Sequence, residues 1–310
     1  MELLLTLLGA LVLIVAAEFM LRGAVDIALR ARISPLVVGL TVVSLGTSLP
    51  ELLVSLIAAL NGSPGIALGN VIGSNIMNIS LVLGACIIII PIGIERDARR
   101  IHWPVMAIAS ILFLVVLQDG RIGRPEGLAF VAALVLYVVL LIRASRKESI
   151  ARKGAPPKAA RALWVSILLL TVGVVGMAFG AQWFVNGATG MARTFGVSER
   201  LIGVTVVALG TSMPELIASL VAAFRKQPDI SLGNLIGSNI FNILGIIGAT
   251  TAIAPIQLDP AEFRTDLLVM FGLALLLYPL MRIGLRMGRW QGALLLVACA
   301  AYLIHVILRG

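Results

Sequence analysis

The chain has 310 residues, 60% apolar and only 13% charged, which excludes an ordinary soluble domain, where about a quarter of residues are charged. Its formal charge of +9 comes from short basic clusters between apolar runs. With aromatic residues at 5% there is no aromatic-rich basic patch, so lipid topology explains the charge and nucleic acid is not a partner.

Breaking the apolar runs at charged, Gly and Pro clusters predicts ten membrane-spanning helices over 3–21, 35–60, 66–91, 103–118, 127–142, 162–185, 200–224, 230–256, 265–281 and 290–308. A span needs about 20 mostly apolar residues to cross the hydrocarbon. The first run lacks a basic n-region and a small-residue cleavage site, so it is read as a retained helix and not as a signal peptide. In this helix Glu18 precedes Arg22 by four residues, the spacing of a helical ion pair. The second and third runs carry the first set of polar motifs. Cys86, like Cys299 in the last run, reads as a buried small hydrophobe. His102 and His305 sit near span ends and read as structural. Between the fifth and sixth spans lies the one polar linker long enough to separate two halves, 143–161, containing Pro156 and Pro157.

Of the 24 Lys and Arg residues, 18 fall on the linker side of this layout, including Arg22, Arg99, Lys147, Arg225 and Arg286. By the positive-inside rule the linker is cytoplasmic and both termini face outward.

Residues 39–51 read GLTVVSLGTSLPE and residues 203–215 read GVTVVALGTSMPE; residues 68–79 read LGNVIGSNIMNI and residues 232–243 read LGNLIGSNIFNI. One offset of 164 residues aligns both pairs without a gap, and also pairs Gly23-Ala24 with Gly187-Ala188 and Pro91-Ile92 with Pro255-Ile256. The chain is an internal duplication: residues 1–143 form the first unit, 144–161 the linker and 162–310 the second, with the repeated cores at about 35–91 and 199–256. Each half holds five spans, an odd number, so the second copy is expected upside down relative to the first. Such inverted repeats place one site near the midplane in secondary transporters. The expected fold is therefore all-α and membrane-embedded, with ten helices in two inverted five-helix repeats.

The repeated segments hold nearly all the polar side chains deep in the spans. Ser44, Thr47, Ser48 and Glu51 share one helical face, as do Ser74 and Asn78. Thr211, Ser212 and Glu215, with Ser238 and Asn242, repeat the pattern; Ala208 stands where Ser44 does. All but Ala208 offer side-chain oxygen and none offers sulfur or imidazole, the donor set of a hard alkali or alkaline-earth cation. Pro50 and Pro214 lack an N–H for the carbonyls of Gly46 and Gly210, so the helix either opens there to free backbone oxygens or kinks with Ser and Thr back-bonding. Glu51 and Glu215 are the decisive residues. A carboxylate at the bilayer centre is costly and needs a partner, and no Lys or Arg lies within the four motifs; protonation or a bound cation remain. Two facing carboxylates would balance one Ca²⁺ or a comparable charge of Na⁺, so the ions would compete. The glycines of GNVIGSN and GNLIGSN lack the Lys-Ser/Thr of a phosphate loop and read as helix-packing positions.

At these motifs the chain resembles the cation/calcium exchanger superfamily, specifically its prokaryotic sodium/calcium exchanger type, whose paired alpha-repeats read much like GTSLPE with GSNIMN and GTSMPE with GSNIFN. The resemblance spans the ten-helix layout. It implies a secondary active antiporter exchanging Na⁺ for Ca²⁺ by alternating access, without a cofactor or an obligatory protein partner. It also implies Glu51 and Glu215 as Ca²⁺ ligands with the backbone carbonyls of Thr47 and Thr211. Na⁺ sites would involve Ser44, Ser48, Ser74, Ala208, Ser212 and Ser238, with Asn78 and Asn242 at the centre between them. The linker is too short for the large cytoplasmic domain of animal exchangers. Some relatives, potassium-dependent ones among them, carry Asp where this chain has Asn242, which weighs against potassium co-transport. Gly73 and Ser74 stand where the proton-coupled branch carries a glutamate. A proton-coupled Ca²⁺/cation exchanger and a passive cation channel are the alternatives. A membrane enzyme is disfavoured because no nucleophile–base pair accompanies the glutamates.

Overall fold

The computed structural model describes residues 1–151, 160–197 and 208–309, and among these it is helical almost throughout. The long helices are α1 (Glu2–Ala31), α4 (Pro64–Ile89), α5 (Ala98–Asp119), α6 (Arg124–Ala151), α7 (Leu163–Thr194), α10 (Pro228–Ile253), α11 (Pro260–Arg282) and α12 (Arg289–Arg309). Between α1 and α4 lie two half-helices, α2 (Pro35–Thr47) and α3 (Leu49–Leu60), bent 44° apart. Between α7 and α10 lie α8 (Ala208–Thr211) and α9 (Met213–Phe224). Among the described residues, eight helices are long and apolar enough to cross a membrane, nine when α2 and α3 count as one span, and α9 is a shorter apolar helix. The chain is an all-α, multi-pass membrane protein. The expected seventh span, 200–224, begins outside the described residues, and residues 152–159 of the linker lie outside them.

Several helices overrun their expected limits, whereas α4 and α10 end at Ile89 and Ile253, short of the expected 91 and 256. Charge-based boundaries stop helices early, because Arg and Lys at a membrane edge bury their stems and keep their charges in water without ending the helix. Thus α1 continues past Arg22 to Ala31 and not 21; α7 runs to Thr194 and not 185, because Gly187 there is a packing position against α1 and not a helix end. Likewise α6 runs to Ala151, so the first part of the expected 143–161 linker is helix.

Solvation is inverted relative to a soluble protein. Leu3, Leu7, Leu136, Trp164, Leu168 and Val297 are exposed, while Ser44, Asn78, Ser238 and Asn242 are buried. Lipid-facing apolar side chains around a core with internal polar groups are what hydrocarbon demands.

Helices α1 and α7 run antiparallel along a seam of small residues. A Cβ on Gly9 would sit 2.4 Å from the Phe184 backbone nitrogen, and one on Gly173 would sit 2.4 Å from the Met20 backbone nitrogen. The two contacts are reciprocal, since 9 and 173, like 20 and 184, differ by the 164-residue offset. Gly23 against Ser166 and Leu170 matches Gly187 against Glu2 and Thr6 in the same way. Only hydrogen fits between backbones this close. Four two-residue strands also cross between the halves, with β4 displaced by one residue from the offset: β1 (Ile92–Gly93) pairs antiparallel with β4 (Arg286–Met287), and β2 (Arg121–Ile122) with β3 (Ile256–Gln257).

At the centre, α2 crosses α10 where Gly39 meets Gly233; a Cβ on Gly39 would lie 2.3 Å from the Ile230 carbonyl oxygen. Cys86 and Cys299 are buried free thiols, as expected from their apolar runs.

Candidate functional site

The backbone breaks where the two repeated motifs carry Ser-Leu-Pro-Glu and Ser-Met-Pro-Glu. Ser48 adopts φ −88° and ψ 2°, and Ser212 adopts φ −87° and ψ 2°. New helices then start at Leu49 and Met213, so Pro50 and Pro214 occupy the first helical turn, where a missing N–H costs nothing. The prolines therefore sit just past a break and are not mid-helix kinks. Glu51 and Glu215 fall in those first turns, so the positive end of each half-helix points at a carboxylate.

Glu51 is 2% exposed and Glu215 is 1% exposed. Their carboxyl groups lie close enough to interact with each other, although they are 164 residues apart in the chain. Ser48 Oγ donates to Glu215 Oε1 at 3.2 Å. A hydroxyl of one half thus bonds to the carboxylate of the other.

Helices α4 and α10 supply the remaining groups. Both widen into a π-helical stretch, Asn78–Leu83 and Phe241–Ile247, a feature frequent at functional sites. α3, which carries Glu51, packs on the stretch containing Asn242, and α9, which carries Glu215, packs on the stretch beginning at Asn78. Among the described residues, twelve buried side-chain N or O atoms have no hydrogen-bond partner, and eight belong to this set: Glu51 Oε2, Glu215 Oε2, the hydroxyls of Ser74, Ser212 and Ser238, both polar atoms of Asn78, and Asn242 Oδ1. An orphaned buried polar atom is normally rare. Eight of the twelve, seven of them oxygens, fall on the repeated motifs, and oxygen is the donor type that a hard cation takes. Among the described residues no group of three or more His, Cys, Asp or Glu could hold a metal, consistent with the hydroxyl, amide and carboxyl chemistry of the site.

Not every expected residue is equally placed. Ser44 Oγ is engaged, donating to the carbonyls of Gly39 at 2.6 Å and Asn234 at 3.0 Å, so it ties α2 to α10. Thr211 is half-buried. Ala208 opens α8 and can contribute only backbone oxygen. His102 packs against Tyr137, whose hydroxyl lies 3.0 Å from Nδ1, and His305 is exposed; neither touches the site. Glu18 pairs with Arg22 as its spacing implies.

Sequence reading passed over the asparagines that frame these groups. Asn70 Nδ2 donates to the Glu51 carbonyl at 3.1 Å and to Ser55 Oγ at 2.9 Å. Asn234 Nδ2 donates to Ser219 Oγ at 3.0 Å, while its Oδ1 accepts from Thr47 Oγ1 at 3.3 Å. Positions 70 and 234, like 55 and 219, differ by 164; the internal repeat was itself the signal that could have found them. Asp26 was also missed: it is buried and pairs with Arg161 at 2.8 Å. It has no acidic counterpart in the other half, so the repeat gave no hint.

A family model described as sodium/calcium exchanger protein matches residues 1–143 and 165–308. The chain belongs to the sodium/calcium exchanger family. This exchanger-family chain is 38% identical over 312 residues to the putative antiporter CaxA of Alkalimonas amylolytica, covering 96% of this chain and 95% of that one. It is 28% identical over 339 residues to the sodium/calcium exchanger MaX1 of Methanosarcina acetivorans, covering 97% of each. Among solved structures, the sodium-calcium exchanger NCX_Mj superposes with a TM-score of 0.81 at 34% identity, covering 96% of each chain.

Proposed function

We propose that this chain is a secondary active antiporter that exchanges Na⁺ for Ca²⁺ by alternating access at one central site. The carrying observation is the meeting of Glu51 and Glu215 with orphaned hydroxyl and amide oxygens around them. Two carboxylates with no basic residue among the motifs balance one Ca²⁺ or a comparable number of Na⁺. The same oxygens cannot hold both loads, so the ions compete, and competition at a site opening to each side in turn produces exchange. Glu51 and Glu215, with the carbonyls of Thr47 and Thr211, take Ca²⁺. Ser44, Ser48, Ser74, Ala208, Ser212 and Ser238 serve Na⁺, Ser44 and Ala208 through backbone oxygen, with Asn78 and Asn242 between. The names of the relatives support the choice of ions.

The architecture belongs to the same reading: ten spans in two inverted five-helix repeats, 1–143 and 162–310, joined by a cytoplasmic linker with both termini outside. Reciprocal contacts at one offset, Gly9 with Phe184 against Gly173 with Met20, support a two-fold relation between the halves. The bias of Lys and Arg toward the linker side supports the orientation.

The test is radioactive Ca²⁺ uptake into proteoliposomes driven by an outward Na⁺ gradient. Glu51→Gln and Glu215→Gln each abolish uptake while the protein still purifies folded; normal uptake in both overturns the assignment. Imposing Na⁺, K⁺ and H⁺ gradients singly separates the sodium antiporter from a proton-coupled exchanger. Uptake without any counter-ion identifies a channel.

A further inference from the structure

A side-chain amide presents two ends of similar size and opposite chemistry. Only the carbonyl oxygen can face a hard cation; the NH₂ end repels it. Asn242 is 1% exposed, and its Nδ2 donates to Asn75 Oδ1 at 3.3 Å, leaving Oδ1 as the orphaned end. The direction of Asn242 therefore depends on the direction of Asn75, another amide. Asn75 in turn places its Nδ2 3.6 Å from Met270 Sδ on α11. A thioether carries lone pairs and no hydrogen, so it accepts and never donates. Asn75 and Met270 are also 1% exposed, so water competes poorly with these contacts.

We propose that Met270 and Asn75 are positioning residues that turn the carbonyl oxygen of Asn242 toward the transported cation. The sulfur fixes which end of Asn75 faces it, Asn75 Oδ1 then takes the Asn242 NH₂ group, and Asn242 Oδ1 is left pointing at the site. Reversing either amide sets NH₂ against NH₂, or carbonyl oxygen against sulfur. The same trio exists in the other half at the 164-residue offset, as Met106, Asn239 and Asn78. There the relay is not made. Asn239 Nδ2 donates to the Leu235 carbonyl at 2.7 Å, and both polar atoms of Asn78 are unpartnered. Asn242 is therefore the oriented central amide and Asn78 the unoriented one.

The inference rests on the central-site reading above, and the experiment separates the two. Na⁺-dependent thermal stabilisation of the purified protein reads binding without requiring turnover. Met270→Leu conserves volume and keeps the fold; with Asn75→Ala it raises the half-stabilising Na⁺ concentration by about tenfold, the scale of losing a ligand's orienting partner. A carboxylate presents oxygen in either direction, so in an Asn242→Asp background the same two substitutions shift that concentration by less than about twofold. Equal shifts in both backgrounds reduce the pair to packing, and no shift in either removes the role. Loss of Na⁺ stabilisation in Asn242→Asp alone also overturns the proposal, because an oxygen at 242 would then not suffice. Glu215→Gln, measured alongside, reports on the site itself: lost stabilisation there with Met270→Leu unchanged rejects only the relay. Retained stabilisation in both Glu51→Gln and Glu215→Gln rejects the site.

Discussion

Glu18 of α1 forms ion pairs with Arg22 on its own helix and with Arg225 just past the end of α9. Shifted by 164 residues, these three charged positions become Gln182, Asn186 and Asn61, three amides. Gln182 Nε2 donates to Asn186 Oδ1 at 2.9 Å, repeating the Glu18–Arg22 spacing without its charge. The ends of α1 and α9 are thus tied by charge where the repeat-related positions carry only amides. Glu18→Gln and Arg225→Asn make the two sets of positions alike. Both are expected to raise hydrogen–deuterium exchange at the ends of α1 and α9 while Na⁺ and Ca²⁺ binding persists. Unchanged exchange in both variants means that the pair ties nothing together.

Ser48 and Ser212 are repeat-related but differ in use. Ser48 Oγ donates to Glu215 Oε1, whereas Ser212 Oγ has no partner. A hydrogen bond to a charged acceptor contributes about 2 kcal/mol, so Ser48→Ala is expected to weaken Ca²⁺ binding by roughly thirtyfold, and Ser212→Ala by clearly less. Isothermal titration of the purified variants with Ca²⁺ measures both; equal losses contradict the asymmetry.

Gly39 meets backbone, not a yielding side chain. A Cβ there would come within 2.3 Å of the Ile230 carbonyl oxygen. Gly39→Ala must separate α2 from α10 and is expected to lower stability by about 1–3 kcal/mol. Gly272, whose Cβ would meet nothing within 4 Å, should accept Ala with little change. Thermal unfolding in detergent compares the two, and similar melting temperatures would contradict the close approach.

Arg161 ties the start of α7 to α1 through Asp26, which also lies 3.5 Å from Ser166 Oγ. Removing Arg161 leaves a buried carboxylate unpaired. Breaking a fully buried pair costs about 3–5 kcal/mol; because the Arg161 side chain is 35% exposed, roughly 2 kcal/mol is expected for Arg161→Ala. Asp26→Asn, which removes the charge along with its partner's need, should cost less. Denaturant or thermal unfolding of the two variants decides the order.

The residues at the site were legible in the chain because membrane depth is so unfavourable to carboxylates and amides that a motif holding them twice needs a purpose. The duplication, the oxygen-only donor set and the family resemblance all followed from letters alone. Boundaries were less legible. Arg and Lys ended the expected spans early, yet α1 and α6 continue past them, since a long basic side chain can reach water from inside a helix. The prolines pointed to the broken helix, but whether it kinks or breaks depends on what packs against Ser48 and Ser212.

Composition, the offset of 164 residues and the paired motifs determined that this is a helical membrane protein of duplicated sequence with a glutamate in each copy of its motif. Tertiary structure alone decided that Ser48 of one half serves Glu215 of the other, that Ser44 is spent on the α10 backbone, and that Asn242 is directed by a methionine while Asn78 is not. The reason is physical. Burial and charge cost are properties of a residue and its near neighbours in the chain, whereas the direction of a hydrogen bond is set by atoms brought together from distant segments.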